Sequence, residues 1–337
     1  MENLKMDRRR FIRLNTAAMA GAAIAPAAIA ETKHSENGAR THERPTGFFR
    51  FPLGDFEITV VNDGFFHLSD ITPPELSPTE SLSMNTSEEI RKEYFQSNLL
   101  DCDDPRLIIS PVIIETGNQR ILVDCGWPVP GSPDSTGRLG SCMDMLGIPR
   151  ESIDTVVLTH AHPDHAGLAD LETGEPVYPN AEVVITDMEL GFWTGDSAVP
   201  LLEIPLLAWI PDVLDALSDR LRVIRPGDEI ASGIRSISTP GHTPGHICVG
   251  IEAGGKQLLL TGDAIVNIHT SFERPHWQNF FDIDGEQAAL TRRNLLEMAA
   301  TDDMMILGYH FPFPGLGYAL RYDGAYRWHP AGTTLMS

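Results

Sequence analysis

The chain is poor in basic residues, in cysteine and in long apolar runs. Of its 337 residues, 25 are Lys or Arg and 47 are Asp or Glu, which gives a formal net charge of −22. A surface that binds nucleic acid or anionic lipid needs clustered cations, so this balance argues against both partners. Four cysteines are too few for a disulfide-built scaffold. An apolar fraction of 42% can form a sizeable core, and we expect one large globular domain.

Positive charge is concentrated at the N-terminus. Residues 1–30 contain five basic and two acidic side chains, a balance of +3, which leaves −25 for the rest of the chain. Arg8, Arg9 and Arg10 precede an Ala-rich apolar stretch that ends in small residues at Ala30. The stretch falls short of the roughly 20 strongly apolar residues of a spanning helix. The pattern is typical of a twin-arginine signal over 1–30, handled by the Tat export machinery, and predicts a periplasmic or secreted protein without a stable membrane anchor.

Beyond the signal, the composition indicates a short leader and one folded domain. Residues 31–46 are polar and predict a disordered leader, and the folded domain is expected over 47–337. Within it, short apolar runs alternate with helical patterns at about 202–217 and 286–299, which favours an α/β fold with helix-covered sheets. Pro205 and Pro211 fall within the first pattern and are candidate breaks in that helix.

One segment of the domain is longer than a connection needs. Residues 67–105 are rich in Pro, Ser and acid, so they are a candidate lid. One helix is expected near 87–96, where Thr86 and Glu89 have the spacing of a capping box. After the lid, two β-branched runs joined by Gly117-Asn118 predict a hairpin.

The strongest chemical signal follows the apolar run that ends at Leu158. It is THAHPDHAG at 159–167, with three imidazoles and one carboxylate within six residues. These groups would repel one another unless a cation compensated them. In an extended segment, His160 and His162 point the same way and can bind one metal ion, while Asp164 and His165 follow on the next turn and can serve a second.

Three later motifs place further candidate ligands after apolar runs. TPGHTPGH contributes His242, TGD contributes Asp263, and GYH contributes His310. Because α/β folds build sites at strand ends, we expect these side chains to meet the first motif. Five imidazoles and two carboxylates without a thiolate suit Zn²⁺ and tolerate Mn, Fe or Co.

THAHPDHAG, TPGHTPGH, TGDA and GYH together resemble the metal-binding motifs of the metallo-β-lactamase superfamily, in its dinuclear hydrolase branch. The resemblance implies a four-layer αββα sandwich, of the α+β or α/β class, in which helices flank two mixed sheets. It implies two divalent ions, most simply Zn²⁺. The implied ligands are His160, His162 and His242 for one ion, Asp164, His165 and His310 for the other, and Asp263 bridging both.

The resemblance also implies a mechanism. A hydroxide bridging the two ions would attack an ester, a lactone or a phosphotriester. Asp164 and Asp263 would be the catalytic carboxylates, with Asp164 passing a proton to the leaving group. Asp124, in VDCG, and His246, the last residue of TPGHTPGH, would orient ligand side chains.

Stretches outside the metal motifs resemble the methyl parathion hydrolase-like exported members of the superfamily. They include Phe192-Trp193 and FPFPGLG at 311–317. By that similarity, Trp193 together with Phe65 and Phe66, at the start of the candidate lid, would line an apolar pocket for the leaving group. Plain core packing is the alternative for these aromatics.

Other functions of the same fold stay open. One is an N-acyl homoserine lactonase-type quorum-quenching enzyme, although such lactonases carry a Tyr shortly after the bridging Asp, and here Ala264 to Asn267 contain none. A metal-dependent oxidoreductase and a non-catalytic periplasmic binding protein are the others. The acid surplus favours a small neutral or apolar substrate. A homodimer is open, as is the choice between a Cys102–Cys142 bond and free thiols.

Overall fold

The structure, a computed structural model, describes residues 47–101, 105–127, 135–170 and 173–331. The expected export signal and leader lie outside these residues and stay predictions, as does the pairing of Cys102. Within the described part of the chain, no helix is long and apolar enough to cross a membrane.

The first sheet has seven strands and is mixed. They lie side by side in the order β1 (Gly47–Leu53), β2 (Phe56–Asn62), β5 (Val112–Glu115), β6 (Arg120–Val123), β7 (Thr155–Val157), β8 (Glu182–Thr186) and β9 (Leu221–Ile224). Pairs from β1 to β6 are antiparallel. Pairs from β6 to β9 are parallel. The carboxyl ends of β6, β7 and β8 therefore share one edge of the sheet.

The second sheet also has seven strands. Their order is β10 (Glu229–Ala231), β11 (Ile234–Ser238), β12 (Ile247–Ala253), β13 (Lys256–Leu260), β14 (Met305–Leu307), β15 (Leu316–Tyr322) and β16 (Ala325–Pro330). The β13–β14 pair is parallel and its neighbours are antiparallel. A two-stranded sheet of β3 (Gly64–His67) and β4 (Arg106–Ile109) lies apart from both.

Seven α-helices complete the described part of the chain. They are α1 (Leu68–Ile71), α2 (Glu88–Ser97), α3 (Leu139–Leu146), α4 (Asp187–Trp193), α5 (Ile210–Ala216), α6 (Thr270–Glu273) and α7 (Gly285–Thr301). One apolar cluster fills the space between the two large sheets, including Val60, Val123, Val249 and Leu260. Two further clusters attach helices α3 to α5 to the first sheet and α7 to the second. The result is the expected sandwich of two sheets between helical layers.

The secondary structure confirms most elements expected from the sequence. The hairpin at Gly117-Asn118 joins β5 to β6, and α7 covers the second helical pattern. The helix expected near 87–96 is α2, but its cap is Ser87, whose hydroxyl accepts from the Ile90 amide, rather than Thr86. Of the helical pattern at 202–217, only α5 is an α-helix, so the pattern is broken, as Pro205 and Pro211 indicated.

Candidate metal centre

The seven expected ligands meet at one edge of the two sheets. His160 to His165 follow β7, His242 lies on the β11–β12 loop, Asp263 follows β13 and His310 follows β14. Because β13 and β14 run parallel, their carboxyl ends bring Asp263 and His310 to the same place.

The first group consists of His160, His162 and His242. Their ring nitrogens lie within 4.8 Å of one another. The His162 Nδ1 atom is 3.1 Å from the His160 Nε2 atom and 2.9 Å from the His242 Nε2 atom. Nitrogens bound to one zinc ion at about 2.0–2.1 Å in a tetrahedron lie roughly 3.3 Å apart, so these spacings fit one shared cation.

The second group consists of Asp164, His165 and His310. The Asp164 Oδ2 atom is 3.6 Å from the His165 Nε2 atom and 3.4 Å from the His310 Nε2 atom. Asp263 stands between the groups: its Oδ1 atom lies 3.2 Å from the Nε2 atoms of His165 and His310, and its Oδ2 atom lies 3.4 Å from the His242 Nε2 atom. One carboxylate therefore contacts both groups.

Hydrogen bonds hold three of the rings with Nε2 facing the centre. The Nδ1 atom of His165 is 2.8 Å from the Asp124 Oδ2 atom, and that of His310 is 2.7 Å from the Ile108 carbonyl oxygen. The Nδ1 atom of His242 is 3.0 Å from the Asp282 Oδ1 atom. Because these oxygens only accept, each Nδ1 donates, and each Nε2 presents its lone pair to the centre.

Burial and the neighbouring charges shift the pKa values at the centre in different directions. Burial, followed by repulsion from neighbouring rings, lowers the pKa of His160 and His162 well below the usual histidine value. Burial also lowers the pKa of His165, but Asp164, Asp124 and Asp263 outweigh it and raise that pKa well above the usual value. Burial raises the pKa of Asp263, yet the surrounding imidazoles lower it well below the usual range. The centre therefore attracts positive charge.

Two buried atoms at the centre test whether this donor set fits a metal ion. The His165 Nε2 atom and the Asp263 Oδ1 atom have no hydrogen-bond partner among the described residues, although they lie 3.2 Å apart. Buried polar atoms without partners are costly and uncommon. Divalent metal ions bound by these two atoms would supply the missing partners. The residues present therefore fit divalent ions.

Asp124 and His246 both contact candidate ligands through hydrogen bonds. Asp124 holds His165 and also accepts from the Thr159 amide and hydroxyl, at 2.9 and 2.8 Å. The His246 Nε2 atom accepts from the Asp263 amide at 3.0 Å, so His246 positions the Asp263 backbone. Gly262 permits this approach, since its φ is +47° and a Cβ atom there would lie 2.8 Å from the His246 ring.

Sequence reasoning missed two other supporting residues. The fully buried Asp282 binds His242 and is itself paired with Arg292, whose Nη2 atom is 3.3 Å from the Asp282 Oδ2 atom. Arg292 also donates to the carbonyl of Ala264, the residue after Asp263, at 3.1 Å. No sequence motif identifies these two residues. Most of the partners of Arg292 are backbone carbonyls, which any residue type can supply.

A cavity of about 370 Å³ opens beside the ligands. Its walls are mainly apolar and include Ile71, Leu107, Trp127, Leu207 and Phe280. Among the described residues that line it, none is Lys or Arg, and the acidic side chain away from the ligands is Asp70.

The expected substrate-pocket aromatics divide into one that lines the cavity and two that do not. Phe66 lines it and packs edge-on against His310, with ring centroids 5.7 Å apart. Phe65, the preceding residue of β3, points the other way and lies under the Arg106 guanidinium. Trp193 is fully buried behind His162, so the expectation that Phe65 and Trp193 line the pocket is not met.

Comparison with known proteins places the chain in a family. The model of the metallo-beta-lactamase superfamily matches residues 104–310, more than half of the chain, and the chain belongs to this superfamily. The uncharacterized protein YobT of Bacillus subtilis (strain 168) is 30% identical over 154 residues, which covers 45% of this chain and 60% of that protein. Across four curated relatives, the alignments cover between 34% and 60% of the relative's length.

Solved structures share the whole fold. AidC, described as a dizinc quorum-quenching lactonase, superposes with a TM-score of 0.77 at 24% identity, over 85% of this chain and 98% of that one. AbOPH, described as a hydrolase in the beta lactamase superfamily, superposes with a TM-score of 0.76 at 27% identity, over 86% of this chain and 99% of that one. The αββα sandwich expected from the motifs is confirmed.

Proposed function

We propose that this chain is a metal-dependent hydrolase of uncharged esters, lactones or phosphotriesters, with two divalent ions held by the seven clustered residues. The observation that carries the proposal is the contact of Asp263 with both groups of ligands, where two buried atoms otherwise lack partners. Zn²⁺ suits the imidazole and carboxylate donors, and the dizinc description of AidC supports it.

When bound, such ions polarise a carbonyl or phosphoryl oxygen and lower the pKa of water to about 7, which supplies a nucleophile at neutral pH. The chain's own residues position the groups that take part. Asp124, Asp282 and the Ile108 carbonyl fix the rings, so the donor atoms need no rearrangement. The Asp164 carboxylate lines the cavity, where it can take up a proton and deliver it to a leaving group.

The cavity supports an uncharged substrate. Apolar walls favour an alkyl or aryl group next to the reacting bond. Without Lys or Arg among its described lining residues, the cavity offers no side-chain partner for a carboxylate or phosphate anion. Asp70 at the wall would repel one.

A lactone and an aryl phosphotriester are the two substrates with specific support. The fold shared with AidC favours the lactone, while the absence of Tyr from residues 264–267 counts against it. The resemblance to methyl parathion hydrolase-like members favours the phosphotriester, and Phe66 in the cavity wall fits its aryl group.

Metal analysis and a matched substrate panel test the proposal. We expect about two divalent ions per chain and loss of turnover on chelation, restored by Zn²⁺, because the ligands fit two ions. We also compare the rate enhancement, relative to the uncatalysed reaction, of neutral 4-nitrophenyl dimethyl phosphate and anionic 4-nitrophenyl methyl phosphate. We expect it to be at least about 100-fold larger for the neutral ester, since a like-charge contact costs several kcal/mol. An iron-loaded protein that consumes oxygen would indicate an oxidoreductase, and a protein that binds no metal would refute the proposal.

A single substitution in the cavity wall tests the charge argument. Ile71→Lys puts an ammonium group into the apolar wall next to Asp70. We expect kcat/KM for the neutral triester to fall about tenfold, a loss of about 1.4 kcal/mol of apolar contact, and that for the anionic diester to rise. Ile90→Lys, at a 53% exposed position of α2, is the control and leaves both values unchanged. An unchanged ratio in the Ile71→Lys variant would contradict the assignment of this cavity to the substrate.

A further inference from the structure

A buried carboxylate lies behind the first group of histidines. Glu189, in α4, is 1% exposed and accepts four hydrogen bonds. Its Oε1 atom accepts from the Ala161 amide at 2.9 Å and from the Trp193 indole at 2.7 Å. Its Oε2 atom accepts from the Thr243 hydroxyl at 2.6 Å and from the Gly245 amide at 3.2 Å. Such an anion, desolvated and fully hydrogen-bonded, holds its donors firmly in place.

Three of these donors belong to the two loops that carry the first group. Ala161 lies between His160 and His162, and Thr243 directly follows His242. Glu189 therefore connects the loop after β7 with the β11–β12 loop by one side chain.

The backbone confirms how closely α4 approaches the second of these loops. A Cβ atom on Gly245 would lie 2.1 Å from the Glu189 amide nitrogen, so a glycine is needed there. Thr186, which caps α4, also donates its hydroxyl to the Gly245 carbonyl at 2.8 Å. The Gly of the second TPGH repeat is thus required by contact with α4 rather than with a metal ion.

We propose that Glu189 is a positioning residue for the first metal ion: it fixes the spacing of His160, His162 and His242 and has no such role for the second ion. The inference rests on the proposed metal site. The second group is held by other atoms, since Asp124 orients His165 and the Ile108 carbonyl orients His310. Loss of Glu189 should therefore weaken the binding of the first ion and leave the binding of the second unchanged.

Glu189→Gln is the sharpest variant, because it keeps the size of the side chain. A glutamine amide turns one of the two acceptors into an N–H donor that faces the donors already present. Residues that orient metal ligands typically contribute 10–100-fold to metal affinity or activity. We expect Glu189→Gln to bind one ion about 10–100-fold more weakly and the other as tightly as the wild type does.

The measurement is a chelator titration of the metal-loaded full chain, with bound metal counted per chain and kcat and KM followed in parallel. We expect an intermediate with one ion per chain, and a loss of turnover mainly in kcat. Glu182→Gln, at a half-buried glutamate of β8 that pairs with Arg222, is the matched control and releases both ions as the wild type does. Thr243→Val removes one donor from the opposite side and is expected to weaken the same ion, which gives a second test if Glu189→Gln does not fold.

The outcomes separate the two proposals. A wild-type protein that binds no metal overturns both. A wild type with two ions, together with a Glu189→Gln variant that releases both at wild-type chelator concentrations, overturns the role of Glu189 alone. Equal weakening of the binding of both ions also overturns it, and a lower unfolding temperature of the metal-free protein would then show a general structural role.

Discussion

Replacing Asp263 with alanine is expected to reduce turnover of a chromogenic aryl ester or phosphotriester by about 10³-fold or more, equivalent to about 4 kcal/mol of transition-state stabilisation. Asp263 is the described residue whose carboxylate contacts both ligand groups, His165 and His310 through Oδ1 and His242 through Oδ2. Its removal leaves the two groups of imidazoles without a shared carboxylate. Nothing then fixes the position of one ion relative to the other.

Metal content separates this explanation from a simple loss of folding. We expect the Asp263→Ala variant to hold one ion per chain or fewer after dialysis. Its circular dichroism spectrum should match that of the wild type, because the Asp263 backbone stays bound to His246. Asp302→Ala, at the exposed end of α7, is the control and keeps both metal and activity. Wild-type turnover by Asp263→Ala would rule out the bridging role.

The clustering of the seven candidate ligands was predictable from the sequence, because these residues come in short motifs directly after strands. A strand fixes where its last residue lies, and parallel neighbours such as β13 and β14 end at one edge, so Asp263 and His310 had to be close. Asp124 was expected from the family resemblance instead; it follows β6 and contacts the site through His165.

The direction in which a side chain points from its helix or strand was harder to predict. Phe65 and Phe66 are equivalent in composition, yet the alternation of β3 sends one ring to the cavity and the other away. Trp193 was expected in the pocket, but α4 turns it inward to Glu189. Nothing in a single sequence states which face of a short helix lies against the core.

The helical pattern over 202–217 is only partly an α-helix, for a different reason. Its apolar residues Ile204, Leu206 and Leu207 line the cavity. Pro205 and Pro211 lack the amide hydrogens that a continuous helix needs. Only the part from Ile210 is an α-helix, with Pro211 in its first turn.

Arg292→Met is expected to destabilise the fold by about 3–5 kcal/mol, because it leaves the Asp282 carboxylate buried without its cation. Arg292 is 1% exposed and donates to Ala264, Pro275 and Trp277 carbonyls at 2.7–3.3 Å as well as to Asp282. For a domain of this size, we expect the unfolding temperature to fall by roughly 10 °C. Arg293→Met, at the exposed neighbouring position of α7, is the matched control and changes it little.

The same variant should also affect the metal site, because Asp282 orients His242. With Arg292 absent, the Asp282 carboxylate loses the cation and the hydrogen bond that fix its position, so its hold on the His242 Nδ1 atom weakens. We therefore expect the first ion to be lost at lower chelator concentration, as with Glu189→Gln, but together with a fall in stability. Combining Arg292→Met with Asp282→Asn should cost less than the sum of the single changes, since the buried charge is then removed with its partner. Additive losses would show that the two residues act separately, and that His242 is held without the Arg292–Asp282 pair.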